Sequence, residues 1–445
     1  MSIPCGFCNW KDLLRDLASE IGLDVDKEED LTRVAQYYVN ENGGIRTGLT
    51  NKILENFDKI VKPNTNHNII ASLPINTFWT TNYDNLLESA LERNCKIVDV
   101  KRCSKDLVHT KTNRDVVVYK MHGDINIPTD TIITKDDYVT YASKHGLMVN
   151  TLCGDMASKK FLFIGFSFTD PNLDNVLSQL RCNLGSDTNT HYCLMKQVDN
   201  SNFKDEKTVE YERIKQQLRI KDLKRYGINV LLLDSYNDIT DILNKIKYNV
   251  QRKNIFISGS ASAYGQMGKE VLEELARNLT RNLINQNYNI ISGYGLGIGS
   301  SVIQGAISEI YESGGCKIEQ RLISRPFPTS DSSKEHWTKY RQDMISNAGI
   351  AIFMSGNKIV DKKIVEANGV YEEFDIAVAN KLIPIPIPAT EFAAKNLYNK
   401  VMENFSKYVG YERVKVFYEQ LENETDPTKI QEIVIQIIQE LLKGD

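Results

Sequence analysis

The sequence predicts an α/β protein of two domains, each built on a parallel sheet wound on both faces by helices. Three observations carry this. Short apolar or β-branched runs alternate with longer segments of helical spacing along the chain, the pattern that builds parallel sheets. Several runs in the first half end in small or polar clusters, as strands handing over to binding loops do. These are Thr80-Thr81-Asn82-Tyr83-Asp84, Met121-His122-Gly123-Asp124 and Phe163-Ile164-Gly165-Phe166-Ser167-Phe168-Thr169-Asp170-Pro171-Asn172. Finally, Ile255-Phe256-Ile257-Ser258-Gly259-Ser260 reads as a new strand running into a small-residue turn, and 445 residues are too many for one ordinary core.

The first elements are helical. Trp10, Leu13, Leu14, Leu17 and Ile21 recur at helical spacing, and Gly22 ends that helix. Further helices fill 28–60, then Ile75–Thr80 reads as a strand and Asn85–Glu92 as the helix after it. Val116–Met121 is a short β-rich run, and Asp136–Met156 reads as helix. Phe161–Ile164 is almost wholly apolar, as expected of a strand buried on both faces. Asp170 is a good N-cap, with Pro171 at the first helical position, where its missing N–H costs nothing. Leu173, Val176, Leu177 and Leu180 give that helix its buried stripe, and His191–Met195 and Ile228–Leu233 complete the strands of the domain.

A polar, charged stretch from Lys245 to Asn254 separates this domain from the next. After strand Ile255–Ser260 come helix Leu272–Leu283, strand Tyr288–Ser292, the loop Gly293-Tyr294-Gly295-Leu296-Gly297-Ile298-Gly299 and a helix from Ser300. Strand Leu322–Arg325, helix His336–Ile345, strand Ile350–Met354, helix Gly369–Asn380 and strand Leu382–Ile387 follow.

Charge is nearly balanced, 54 basic against 58 acidic residues, so there is no electrostatic footprint for nucleic acid and no polybasic membrane patch. No apolar run approaches the length of a bilayer span and no signal pattern opens the chain, so a cytoplasmic protein is expected. Eight cysteines, the last of them Cys316, are scattered as reduced thiols would be. Cys5-Gly6-Phe7-Cys8 has the spacing of a redox pair or half a zinc site. It precedes any strand and has no second pair to complete it, so incidental cysteines and no bound metal are expected.

The strand-end clusters hold the residue types needed to split a nicotinamide–ribose bond. Nicotinamide leaves as a neutral molecule from an oxocarbenium-like ribose, so an enzyme must supply positioning, polar stabilisation and a base for the incoming hydroxyl. Asn82 and Asp84 place an amide and a carboxylate at one strand end, and His122 supplies the side-chain type best suited to act as a base near neutrality. The alternative is that Asn82 and Asp84 make turn and capping bonds and His122 is a satisfied core histidine.

These clusters resemble the T-x-N-x-D, H-G and G-x-S motifs of the sirtuin family, in the same order. The resemblance implies that Asn82 orients water and ribose, Asp84 holds the nicotinamide carboxamide and His122 acts as base. It implies further that Ser2, Thr81, Gly165, Ser167 and Asp170 line the NAD+ site. Sirtuin deacylases carry a zinc ribbon of two C-x-x-C pairs, which this chain lacks, so an NAD+ hydrolase is favoured over a protein deacylase. The family opens with a strand and a G-A-G-x-S turn whose amides cradle the pyrophosphate. Here Met1 falls after that strand's place, while Ser2 and Gly6 keep the spacing that follows. The expectation is that this strand and turn are absent and that the 445-residue form binds NAD+ weakly, with a catalytically defective nucleotide-binding module as the other reading.

The second half resembles the SLOG superfamily, relatives of the LOG phosphoribohydrolases and of nucleotide sensors. The resemblance rests on Ser258-Gly259-Ser260, the loop Gly293–Gly299 and Gly369-Val370-Tyr371-Glu372-Glu373. Ala367 and Asn368 replace much of the LOG motif P-G-G-x-G-T-x-E-E, so binding rather than hydrolysis is implied. Gly259, Ser260, Gly295, Arg341, Lys358 and Glu373 would form the site, Arg341 and Lys358 meeting pyrophosphate and Glu373 accepting from ribose. Surface charge on solvated helix faces is the alternative for those last three.

Together the halves imply a sirtuin-like Rossmann-type domain with a helical insertion over 1–248 and a Rossmann-like SLOG domain over 252–445. This combination resembles the NAD+-depleting effectors of Thoeris anti-phage defence. The resemblance implies a cyclic ADP-ribose isomer as activator, a TIR-domain protein that makes it, and a homo-oligomer, tetrameric or larger.

Overall fold

The computed structural model describes every residue except 169, 186, 188, 201–204, 316–317, 328–335 and 444–445, so Thr169 and Cys316 lie outside the described residues. The chain divides into two compact units, Met1–Lys245 and Ile246–Asp445.

Unit 1 opens with α1 (Trp10–Glu20), α2 (Leu31–Glu41), α3 (Thr47–Phe57) and α4 (Thr65–Ser72). Leu13, Leu14 and Leu17 of α1 pack with Val34, Ala35, Leu49 and Ile53 of the next two helices in one core cluster. Next come β1 (Thr77–Thr80), α5 (Leu86–Arg93), β2 (Val98–Lys101) and β3 (Val116–Lys120). Two helices, α6 (Lys135–Lys144) and α7 (Gly146–Ser158), precede β4 (Leu162–Ile164), α8 (Pro171–Leu184), β5 (His191–Lys196), α9 (Glu206–Arg225), β6 (Ile228–Leu233) and α10 (Asp238–Gln251).

All six strands are parallel to their neighbours, but they form two sheets, β1-β3-β2 and β4-β5-β6. Phe78 of β1 and Ile164 of β4 share a cluster with Ile69, Ile70 and Leu194, so both sheets contribute to a common core. Among the described residues β4 pairs only with β5, and Leu162 is 39% exposed. The expectation of a strand buried on both faces is thereby corrected: β4 is the outer strand of its sheet.

Other local expectations shift for physical reasons. The helix expected over Asp136–Met156 breaks at His145, which caps α6 before Gly146, a weak helix former, starts α7. The polar stretch from Lys245 is helical as far as Gln251, because Ile239 and Leu243 anchor α10 while its charged residues face water. β2 escaped notice because two of its four residues, Asp99 and Lys101, are charged; both are buried and pair at 3.0 Å.

Unit 2 holds a five-stranded parallel sheet of order β13-β10-β7-β8-β9. Its elements run β7 (Asn254–Ser260), α11 (Lys269–Asn285), β8 (Asn289–Ser292), α12 (Gly299–Glu312), α13 (Ile318–Arg321), β9 (Leu322–Ser324) and α14 (Trp337–Ile345). Then follow β10 (Ile350–Ser355), the hairpin β11 (Asn357–Val360) with β12 (Lys363–Glu366), α15 (Asn368–Ala379), β13 (Ile383–Pro386) and the helices α16 (Phe392–Glu403), α17 (Phe405–Tyr408), α18 (Lys415–Leu421) and α19 (Pro427–Leu442). β10 is buried along its whole length, as a central strand of a covered parallel sheet should be. Both units are thus α/β with parallel sheets. Among the described residues no helix is long and apolar enough to cross a membrane.

Candidate functional site

In unit 1 the loops after β3 and β4 meet at His122, while Asn82 and Asp84 follow β1, the strand paired to β3. β3 delivers the His122 ring into the interior, 4% exposed, and its Nε2 lies 2.8 Å from Asp170 Oδ2. Tyr138 and Tyr141 stand edge-on to the imidazole, ring centroids 5.4 and 6.5 Å away. Tyr141 is fixed by donating to the Met121 carbonyl at 2.8 Å. The turn behind the ring needs Gly123: its φ is +93°, and a Cβ there would meet Thr131 Cα at 2.9 Å.

Asp170 does two jobs. As N-cap of α8 it accepts from the Asn172 amide at 2.8 Å, and its other oxygen faces His122. Burial pushes its carboxyl up, but the His122 imidazole and the Asn172 and Leu173 amides outweigh burial and hold it below the usual range. Burial, and then the Asp170 charge, push the Tyr138 phenol well up.

At the end of β1, the Asn82 amide N–H donates to Thr80 Oγ1 at 3.1 Å and the side-chain Nδ2 to Ser2 Oγ at 3.0 Å. Asp84 is buried; Oδ1 accepts from the Leu86 amide at 3.0 Å, while Oδ2 has no hydrogen-bond partner among the described residues. Half of the bland expectation therefore holds, since Asp84 does make a turn bond into α5. Its second oxygen is left for something else, and a buried acceptor without a partner is costly. Gly165, φ +66°, follows β4, and a Cβ on it would lie 3.6 Å from the Met1 nitrogen. Thr81 is half-buried and Ser167 exposed, at the ends of β1 and β4. Cys5 and Cys8 are free thiols.

The nucleotide-type loop of unit 2 is built by backbone proximity. A Cβ on Gly295 would sit 1.9 Å from the Gly259 carbonyl oxygen, so the loop after β8 reaches the end of β7 only because residue 295 is glycine, while a Cβ on Gly259 would meet the Met354 carbonyl oxygen of β10 at 2.5 Å. The Ala261 amide closes the contact onto the Leu296 carbonyl at 2.7 Å. Ser258 Oγ donates to Glu373 Oε2 at 2.6 Å, tying β7 to α15. Ser260 Oγ donates to the Asn357 carbonyl at 3.2 Å.

Arg341 and Glu373 differ from the surface-charge alternative: they are 7% and 8% exposed. Arg341 Nη1 lies 2.6 Å from Glu372 Oε2, and its Nε 3.4 Å from Glu373 Oε1. The guanidinium also lies over the rings of Phe327 and Trp337, 4.9 and 5.7 Å from their centroids. Burial raises the Glu373 carboxyl, the Ser258 and Arg341 bonds only partly offsetting it. Lys358, by contrast, is exposed on β11. Sequence reading missed Glu372 as a partner of Arg341. It also missed the fully buried Asn357, whose Oδ1 accepts from the Ser262 and Ala263 amides at 2.9 and 2.8 Å and shapes that loop. The Glu pair at 372–373 was the available signal for the first; a lone Asn gave none for the second.

Comparison with known proteins agrees with this division. The SIR2-like domain family matches residues 76–221, and the Sir2- and TIR-associating SLOG family matches residues 238–441. A NAD(+) hydrolase ThsA from Bacillus cereus strain MSX-D12 is 45% identical over 441 residues, spanning 99% of this chain and 92% of that protein. One from Acinetobacter baumannii strain 532279 is 43% identical over 443 residues, 97% of this chain and 92% of that protein. Defense-associated sirtuin 2 of Bacillus subtilis is 26% identical over 229 residues, 50% of this chain and 22% of that protein. With 45% and 43% identity over nearly the full length of the two hydrolases, the chain belongs to the ThsA NAD(+) hydrolase family.

Proposed function

We propose that the protein hydrolyses NAD+ to nicotinamide and ADP-ribose in unit 1, as an anti-phage effector that depletes NAD+. The observation that carries this reading is the buried His122–Asp170 pair at 2.8 Å, with Asp84, whose Oδ2 has no hydrogen-bond partner among the described residues, following the neighbouring strand β1. Asp170 orients the imidazole and stabilises its protonated form, so His122 takes a proton from a ribose hydroxyl as positive charge develops on the sugar. Asp84 Oδ2 accepts the N–H of the nicotinamide carboxamide, and the Asn82 amide orients water and ribose. Ser2, Thr81, Gly165 and Ser167 line the remainder of the substrate. Incubating the purified chain with NAD+ and a cyclic ADP-ribose isomer tests this: equal amounts of nicotinamide and ADP-ribose are expected, and NAD+ left intact in the presence of that ligand contradicts it.

Unit 2 is the sensor in this reading. A cyclic ADP-ribose isomer made by a TIR-domain protein binds among Gly259, Ser260, Gly295, Arg341, Lys358 and Glu373, in a homo-oligomer of four or more chains. What supports it is the close packing of the Gly295 loop on the Gly259 carbonyl at the strand ends, where open parallel sheets bind nucleotides, together with the buried Arg341–Glu373 pair. Binding activates only if the ligand prefers the active arrangement to the resting one.

A further inference from the structure

Lys120 ends β3 with its side chain wholly buried, in a run whose preceding members include Val116, Val117 and Val118. An ammonium has three N–H bonds to give, yet five acceptors surround this one. The carbonyls of Tyr83 and Asp84 lie at 3.0 and 2.8 Å and Asn85 Oδ1 at 3.0 Å. Asp124 Oδ2 lies at 3.0 Å and Glu88 Oε1 at 3.1 Å. Arg102 Nε reaches the same Asp124 oxygen at 3.0 Å.

The distribution of these partners matters more than their number. Three belong to the turn Tyr83–Asn85, which carries Asp84 and follows directly on Asn82. A fourth, Asp124, closes the turn that carries His122. The ammonium is thus the joint between the two strand-end clusters that the proposed reaction uses. An aliphatic side chain would fill this core at no desolvation cost, and buried ion clusters seldom stabilise more than well-packed apolar replacements do. Core stability alone does not call for a lysine here.

We infer that Lys120 is a positioning residue for NAD+ hydrolysis: its ammonium holds the Asn82–Asp84 turn in register with His122, touching no substrate itself. This rests on the reading of unit 1 as the hydrolytic site. Replacing Lys120 alone would strand the Glu88 carboxylate, so the informative variant is Lys120→Met with Glu88→Gln, which restores neutrality but not the three bonds to the turn. It is compared, in the full-length chain, with Glu88→Gln alone and with His122→Ala. The readouts, with a cyclic ADP-ribose isomer present in every assay, are kcat, the KM for NAD+ and the thermal midpoint.

The expected result is a double variant that melts within a few degrees of Glu88→Gln, with kcat down about tenfold or more and KM changed by no more than about threefold. Parental kcat in the double variant overturns the inference, as does a rise in KM alone. Failure of the double variant to fold while Glu88→Gln folds also overturns it, since Lys120 is then scaffold only. Parental activity in His122→Ala, or none in the parent chain, contradicts the reading of the site instead, so the two failures are separable.

Discussion

His122 and Asp170 reach each other from different sheets, Nε2 to Oδ2 at 2.8 Å, the first at the end of β3 and the second capping α8 beyond β4. Cap and orienter in one carboxylate means that the start of α8 and the direction of the imidazole are set together. Asn keeps the capping oxygen but not the charge. Asp170→Asn is therefore expected to unfold within a few degrees of the parent while kcat for NAD+ falls about a hundredfold. Steady-state turnover and thermal unfolding check both halves, and a parental kcat would show that His122 needs no charged partner.

Asn82 tests the other strand end. Its Nδ2 donates to Ser2 Oγ, a bond on the order of 1 kcal/mol, so loss of structure should be slight when it goes. Asn82→Ala is expected to lower kcat about a hundredfold or more, whereas Ser2→Ala, which keeps the Asn82 amide, lowers it by less than about tenfold. Equal losses in the two variants would mean that the amide acts only through its bond to Ser2.

How far the sequence reaches is clear from these elements. Thr80–Asp84 and Met121–Asp124 were legible as strand ends because apolar runs stop abruptly at small and polar residues, and Asp170-Pro171 because a cap is a local signal. β2 was hidden by Asp99 and Lys101, which only the fold pairs. The same applies to the meeting of His122 with Asp170, of Lys120 with Asp124 and Glu88, and of Arg341 with Glu372. Residue types announce chemistry, but which buried charge meets which is decided by strand order.

His67 gives the protein an acid-side weakness. Burial lowers its imidazole from 6.5 to about 4, with the Asp84 carboxylate pulling the other way. Between those values the native state binds fewer protons than the unfolded chain. Stability is therefore complete above about pH 6.5 and declines as pH falls toward about 4, by about 3 kcal/mol. Denaturant unfolding at about pH 7.5 and about pH 4.5 measures the difference, which His67→Gln should reduce, burial lowering His145 and His191 as well. An unchanged difference in that variant would assign the loss to other groups.

The two charged residues of the sensor should behave differently. Arg341→Ala removes the partner of a buried Glu373 and is expected to cost about 3 kcal/mol in stability as well as abolish binding of a cyclic ADP-ribose isomer. Lys358→Ala, on an exposed strand, should weaken binding about tenfold and leave stability unchanged. Calorimetric titration of the full-length chain separates them, and parental affinity in Arg341→Ala would remove unit 2 as the sensor.

The most direct test of the whole account is NAD+ turnover by His122→Ala beside the parent at equal concentration, each with a cyclic ADP-ribose isomer present, and with folding verified by thermal unfolding. The account predicts that the parent releases nicotinamide and ADP-ribose while the folded variant loses at least about a hundredfold in rate. A folded His122→Ala that turns over NAD+ at the parental rate would contradict it, because the buried imidazole facing Asp170 would then not be the base.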